Sequence, residues 1–567
     1  MCEDSAGNRN PTRSRRHLRF AGRPRAAAFA ALATVLLAGL GQQSLALGAA
    51  AAPTRSPPSR GSGIASTGPY GSNLASAAPR GSQLASLTGS PSQALPRAAV
   101  SVHLPADPRA VPRSFLGIST EYWTLPMWAR YPELLGRVLG LLRVNGPLVL
   151  RIGGDSADRT LWSPARELPE WAFELTPQWL TGASKIVGIT RARVILDLNY
   201  VTSTPRIAAS WASRASANLP KGSILGFEIG NEPDIYSHRF WLRVTAAGLH
   251  GTGRNALPVA LSPSGYADSF LSYSRALTQV APGIPLLGPA LADPNSHLGW
   301  VSSLLASPHP GLAAITVHRY PYSACALPSW RKYPTIARVL SENASAGLAA
   351  SLRPVLALAS RAGLPVRLTE LNSVTCGGLK GVSKTFATAL WAPDALFELL
   401  RAGVMSADVH IRAEAINMAF SLTRHGLVAN PLFYGLLTFV RTIGPDAKLL
   451  AVNLHARPAL HLKAWAVALR GGVLHVLVIN KGARSTAVSL ALPTHAPATV
   501  QRLLAPSVRS TSGVTLAGQR LGPDGRWTGP PVLESLPRQG RAYKLTVRGY
   551  SAALVTVKLA RSGGARQ

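Results

Sequence analysis

Two carboxylates stand at the ends of apolar runs far apart in the chain. Ile224-Leu225-Gly226-Phe227-Glu228-Ile229 breaks into Gly230-Asn231-Glu232-Pro233-Asp234, the pattern of a buried strand ending in a tight polar turn with Glu232 at its mouth. Val366-Arg367-Leu368-Thr369-Glu370-Leu371-Asn372-Ser373 repeats the arrangement and delivers Glu370. Retaining glycoside hydrolysis needs such a pair. A protonated carboxyl gives its proton to the leaving oxygen, and an ionised one attacks the anomeric carbon from about 5–5.5 Å away. Glu232 fits the acid/base role, because a Pro-stiffened turn and a neighbouring amide hold it against apolar walls that raise its pKa. Glu370 then fits the nucleophile. Taken singly, either Glu is equally a structural carboxylate paired with one of the many Arg residues.

The elements around them set the fold class. From residue 99, apolar strands alternate with amphipathic helices. The strands are read at Phe115–Thr120, Leu148–Ile152, Val194–Leu198, Ile224–Ile229, Pro285–Leu287, Ala314–Val317, Val366–Leu371 and Ala407–Ile411; helices at Leu134–Leu142, Phe270–Val280 and Val355–Ala362. Eight strand–helix units over this length predict an α/β fold, a (β/α)8 TIM barrel spanning 99–445. Glu232 follows the fourth strand and Glu370 the seventh, on the face where such barrels keep their chemistry. From about residue 446 the helical periodicity gives way to short strands at His461–Leu469, Val473–Ile479, Ala487–Leu492, Thr499–Leu504 and Ala552–Leu559. They predict an all-β sandwich over 446–562, and Val100–His103 is placed to add a strand to it.

The first hundred residues are of another kind. An Arg-rich start, the apolar stretch Ala26–Leu40 and the small residues Ala49-Ala50-Ala51-Ala52 predict a signal peptide over 1–52, too short in its apolar part for a spanning helix. Residues 53–98 are rich in Pro, Ser, Gly and Ala and carry a ten-residue repeat (Arg60-Gly61-Ser62, Tyr70-Gly71-Ser72, Arg80-Gly81-Ser82). They predict a flexible linker. The chain has 567 residues, 47% of them hydrophobic, and a formal charge of +34. No dense Lys/Arg block interleaved with aromatics follows residue 100, so nucleic acid is not expected as a partner. Cys2 falls in the signal, which leaves Cys325 and Cys376, and no Cys/His spacing suits zinc.

Leu150-Arg151-Ile152-Gly153-Gly154-Asp155-Ser156-Ala157-Asp158, the Gly-Asn-Glu-Pro-Asp turn, Val317-His318-Arg319-Tyr320-Pro321, Glu370-Leu371-Asn372-Ser373 with Gly377-Gly378, Asn430-Pro431-Leu432-Phe433-Tyr434-Gly435 and Val478-Ile479-Asn480-Lys481 together resemble glycoside hydrolase family 79, the β-glucuronidase and heparanase-like family. The resemblance covers about residues 99–560. It implies acid/base and nucleophile roles for Glu232 and Glu370, a bond from Asn231 to the sugar 2-hydroxyl, and Tyr320 orienting the nucleophile. It also implies that backbone amides at Gly377 and Gly378, with the Tyr434 hydroxyl, hold the uronate carboxylate, since a Gly-rich turn forms a concave anion site. A tyrosine that family members carry near Thr375 and Cys376 is absent. Glu121 and Asp155 end the first two strands and either touch sugar hydroxyls or pair with Arg. His318 is read as a hydrogen-bonded wall residue, and Trp123, Trp128 and Trp391 as sugar platforms or core. Cys325 and Cys376 lie on adjacent top loops and are expected to form a disulfide, with two free thiols as the alternative.

The resulting expectation is a secreted, monomeric retaining β-glucuronidase acting from chain ends on glucuronate-containing glycans, without metal or organic cofactor and without stable membrane insertion once the signal is removed. Activity on a neutral sugar, a non-catalytic glycan-binding protein and a salt-sensitive basic adhesin are the alternatives.

Overall fold

The structure, a computed structural model, describes residues 94–559 apart from 106, 145, 163–171 and 238–261. The expected signal 1–52, most of the linker and residues 560–562 lie outside the described residues. Eight strands close into a parallel barrel: β1 (Leu116–Glu121), β2 (Val149–Gly153), β3 (Arg193–Leu198), β4 (Ile224–Ile229), β5 (Leu286–Leu291), β6 (Leu312–Arg319), β7 (Val366–Leu371) and β8 (Ser406–His410). Each pairs with the next, and β8 closes on β1. Both faces of such strands are covered, which is why they are written as near-continuous apolar runs; β2 is buried at every position.

Three of the outer helices begin with the same device. Thr176-Pro177, Thr204-Pro205 and Ser262-Pro263 open the helices Pro177–Thr190, Pro205–Asn218 and Pro263–Val280. In each the hydroxyl accepts a backbone N–H from the first turn, and proline takes a position whose own N–H would go unpaired. Among the described residues no helix is long and apolar enough to cross a membrane.

Two helices lie between the barrel and the C-terminal region. In α1 (Phe386–Ala402) every residue from Phe386 to Leu400 is buried, and it packs on α2 (Pro431–Ile443). The first two N–H groups of α1 donate to Ser510 and Val508 carbonyls at 2.8 and 3.1 Å. Pro393 deprives the Ala389 carbonyl of its in-helix donor. There Gly435 of α2 comes so near that a β-carbon on it would stand 2.6 Å from the Ala389 oxygen. Only glycine permits this approach.

The C-terminal region is a 12-stranded sheet. Its long strands include Lys448–His455, Leu462–Leu469, Val473–Asn480, Thr486–Ala491, Ala498–Leu504 and Ser551–Lys558. The strand Arg97–His103 enters it from the other end of the chain, antiparallel to Lys448–His455 and parallel to Thr486–Ala491. Arg97 and Ala98, read above as linker, are therefore the start of a strand. Val100, Leu450, Val476, Val488, Leu545 and Val555, from six strands, share one apolar cluster, so the sheet curls over its own core as a sandwich.

Charges tie this sandwich to α1. Asp394 accepts the Trp465 indole N–H at 3.0 Å and is paired with Lys481; Lys463 reaches Glu398 and Glu342, each at 2.8 Å. Phe397 stacks on Trp465 with ring centres 5.2 Å apart. Burial alone would raise the Asp394 carboxyl, but Lys481 and Lys463 outweigh it and hold the group below its ordinary value.

Candidate active site

The turn after β4 places Glu232 with a left-handed backbone, φ 54°, a conformation that costs a non-glycine residue about 1–2 kcal/mol. It is held there by its N–H on the Ala290 carbonyl and by the Ile235 N–H on its own carbonyl, both at 3.0 Å. Asp158 anchors the same turn from below, accepting backbone N–H groups of Tyr200, Val201 and Asn231 and the Tyr236 hydroxyl. Burial raises Asp158 to about 6, against the pull of those bonds.

Glu370, on β7, faces Glu232 across the mouth. His318 Nδ1, from β6, lies 2.9 Å from Glu232 Oε1 and 3.9 Å from Glu370 Oε2, and the two carboxylates approach within 4.8 Å of each other. Both oxygens of Glu370 are held: Oε2 accepts the Tyr320 hydroxyl at 2.7 Å and Oε1 accepts Arg151 Nη1 at 2.7 Å. Arg151 is wholly buried and also donates to Glu228 at 2.6 Å and Asp197 at 2.8 Å. It also donates to the Ser119 hydroxyl at 3.3 Å and fixes Asn231, whose Oδ1 accepts from Arg151 Nη2 at 3.0 Å. Arginine can only donate, so the Asn231 amide must present its Nδ2 elsewhere.

These surroundings push the two acids apart. Burial lifts Glu232 well above the ordinary carboxylate range, and the negative charges of Glu370, Asp155 and Asp234 add to it. For Glu370 burial pulls the same way, but His410, His318, Arg151 and the Tyr320 hydroxyl outweigh it and hold the group well below that range. Burial brings His318 down to about 4, so near neutrality His318 supplies a hydrogen bond and the cations acting on Glu370 are His410 and Arg151. His410 is poised for this: burial opposes its charge, but Glu370 and Glu121 on either side raise it. Its Nδ1 lies 3.5 Å from Glu370 and its Nε2 3.6 Å from Glu121. A protonated acid therefore faces an ionised carboxylate, the division of labour that glycosyl transfer to an enzyme requires.

The other residues fall into distinct places. Glu121 is buried at the end of β1, accepting the Ser156 N–H at 2.8 Å and lying beside His410. Asp155 is exposed at the end of β2, within electrostatic reach of Glu121, Glu370 and Arg412. Cys325 and Cys376 are joined by a disulfide linking the loops after β6 and β7. Cys376, Gly377 and Gly378 all have positive φ. The Gly378 N–H donates to the Thr375 carbonyl at 3.3 Å, and the Gly377 carbonyl accepts from Ile416 and Asn417. The Tyr434 hydroxyl accepts the Leu521 N–H at 3.0 Å, which leaves its own O–H to donate, and its ring lies edge-on to Trp527 of the sandwich. Trp128 and Trp391 are core residues, while Trp123 is half-buried.

Glu232, His318 and Glu370 form the one group among the described residues with three metal-type donors in reach. Those atoms already face each other, Tyr320 and the Arg151 guanidinium, a set that suits a proton and a sugar better than a dication. Arg151, His410, Asp197 and Glu228 were given no role from sequence. The signal was available: a charge inside an apolar strand, as in Val149-Leu150-Arg151-Ile152, must be paired within the barrel.

Solved structures share this architecture. A 4-O-α-L-rhamnosyl-β-D-glucuronidase from Fusarium oxysporum 12S aligns with TM-score 0.64 and 18% identity, over 81% of this chain and 100% of that one. The GH51 arabinofuranosidase of Xanthomonas axonopodis pv. citri aligns with TM-score 0.59 and 14% identity over 82% and 100%, and the family 44 endoglucanase Cel44A of Clostridium thermocellum with 0.53 and 12% over 82% and 100%. No protein-family model and no curated protein matches the chain. At such identities the likeness is one of fold.

Proposed function

We propose that the protein is a secreted, monomeric glycoside hydrolase that removes β-linked glucuronic acid by double displacement. The observation that carries this reading is the approach of Glu232 and Glu370 within 4.8 Å with their proton affinities driven in opposite directions. Glu370, aligned by Tyr320 and Arg151, attacks the anomeric carbon while Glu232 gives its proton to the departing oxygen. Asn231 Nδ2 holds the 2-hydroxyl. The product is a glycosyl ester on Glu370; Glu232, now ionised, takes a proton from water, whose oxygen bonds to the same carbon as the bond to Glu370 breaks and releases its carboxylate, and the configuration is retained. His318 carries Glu232 through both steps without competing for charge.

The uronate preference rests on the glucuronidase among the structures of this fold and on the motif resemblance. Arabinofuranosidases share the fold, so release of a neutral sugar is the second reading. A panel of 4-nitrophenyl glycosides separates them. Highest kcat/KM on the β-glucuronide upholds the proposal, and a preference for the α-L-arabinofuranoside or β-glucoside overturns its substrate.

A further inference from the structure

The loop after β8 carries a cation that the chemistry above does not use. Arg412 lies two residues beyond His410, half-buried, with its guanidinium against the Gly377 turn; a β-carbon on Gly377 would stand 2.9 Å from Arg412 Nη2. Asp155 feels its charge together with those of Glu121 and Glu370, which places Arg412 beside the cleft that the two catalytic acids face.

The backbone carrying it is firmly tied. Ile416 and Asn417 donate to the Gly377 carbonyl at 2.8 and 3.2 Å, the Asn417 amide donates to the Val374 carbonyl at 2.7 Å, and Asn372 donates to His410 and Asn417 carbonyls. The disulfide fixes the neighbouring turn. Yet among the described residues the Arg412 guanidinium makes neither a hydrogen bond nor an ion pair. Its neighbours elsewhere in the mouth, Arg151 and His410, are saturated with carboxylates.

We infer that Arg412 recognises the carboxylate of a hexuronic acid bound between Glu232 and Glu370. The inference rests on the glycosidase reading above and deepens it, placing the specificity of the site on one side chain. A guanidinium presents paired N–H groups that match a carboxylate, and a neutral sugar leaves it without a partner. Of the amide and tyrosine device implied by the resemblance, the Gly378 N–H is spent on the Thr375 carbonyl, while the Tyr434 hydroxyl, which accepts the Leu521 N–H, keeps only its own proton to donate and supplies no charge. The Gly377 turn leaves room for the guanidinium in this position, which a side chain there would displace.

The test compares kcat/KM for 4-nitrophenyl β-D-glucuronide and 4-nitrophenyl β-D-glucoside in the full-length enzyme, Arg412→Gln and Arg412→Lys, with melting temperatures as a check on folding. The wild type favours the glucuronide, Arg412→Gln lowers the glucuronide-to-glucoside ratio by roughly 10–100-fold, as loss of a charged hydrogen-bonded pair does, and Arg412→Lys recovers part of it. A wild type that favours the glucuronide with an Arg412→Gln ratio within about twofold of it overturns Arg412 alone. A wild type that favours the glucoside overturns the uronate reading and Arg412 with it. Should Arg412→Gln not fold, a ratio in Arg412→Lys equal to or above the wild type's likewise overturns the role.

Discussion

Two buried charge clusters in this molecule combine carboxylates and cations in different proportions. Between α1 and the sandwich, Asp394 and Glu398 meet Lys463 and Lys481, with Trp465 closing the group. Acids and bases balance there, and each partner lowers the cost of burying the other. At the barrel mouth Arg151 meets Asp197, Glu228 and Glu370, and His410 lies between Glu370 and Glu121, with Glu232 close by. Acids are in excess, so some must keep a proton. Asp197 and Glu232 are both pushed well above the ordinary carboxylate range, chiefly by burial. The balanced cluster joins two domains; the unbalanced one stores a proton where a glycosidic oxygen would lie.

This contrast can be broken in graded ways. The largest effect is expected from Glu370→Gln, which removes the nucleophile: kcat on the preferred glycoside falls on the order of 10³–10⁵-fold, while calorimetry still detects sugar binding. Loss of binding along with turnover would make Glu370 structural. Next comes Glu232→Ala, with kcat reduced on the order of 10²–10⁴-fold on alkyl glycosides and much less on 2,4-dinitrophenyl ones. Added azide restores turnover and yields the β-glycosyl azide; an α-azide would contradict double displacement.

The pH profile follows from the same two shifts. Activity requires Glu370 ionised and Glu232 protonated, so kcat/KM rises at low pH with Glu370 and falls only above the ordinary carboxylate range, as Glu232 titrates. In Glu232→Gln the residual activity on a dinitrophenyl glycoside should lose the falling limb.

The remaining two changes are the same chemical edit, carboxylate to amide, made once in each cluster. Asp394→Asn leaves Lys481 buried without its partner and should cost about 3–5 kcal/mol, read as a lower melting temperature at pH 7. Because Asp394 is held below its unfolded value, its contribution is full above the unfolded pKa and is lost as pH falls toward the lowered one. The gap between wild type and variant therefore closes in acid. Glu232→Gln should do the reverse and stabilise at pH 7 by about 0.5–2 kcal/mol. A raised folded pKa means that the unfolded chain ionises first as pH rises, which drains stability from the wild type above the unfolded value. Equal signs for the two edits would refute the contrast.

Much of the barrel was legible because parallel strands covered on both faces must be apolar throughout; Ile224–Ile229 and Val366–Leu371 match the structure residue for residue. Pro285–Leu287 was read too short, since Gly288-Pro289 interrupts the pattern while the strand runs on to Leu291. The positions of Glu232 and Glu370 at strand ends followed from the same periodicity. Arg412 was illegible in principle: it matters because the loop after β8 folds against the turn after β7, and no local pattern records that contact. Tyr434 is ambiguous for a related reason. The motif that contains it describes the fit of α2 on α1, where Gly435 meets Ala389, and a motif does not say whether it serves a ligand or a neighbouring helix.

The strand Arg97–His103 precedes the barrel in the chain yet sits between Lys448–His455 and Thr486–Ala491. Made early on the ribosome, it waits for partners about 350 residues downstream, and that long loop closure slows assembly. A fragment that starts at Asp446 and runs to the end of the chain would hold both of those strands with an open slot between them, its backbone groups bared for pairing with another chain. Supplying the seven-residue segment as a separate peptide would fill that slot.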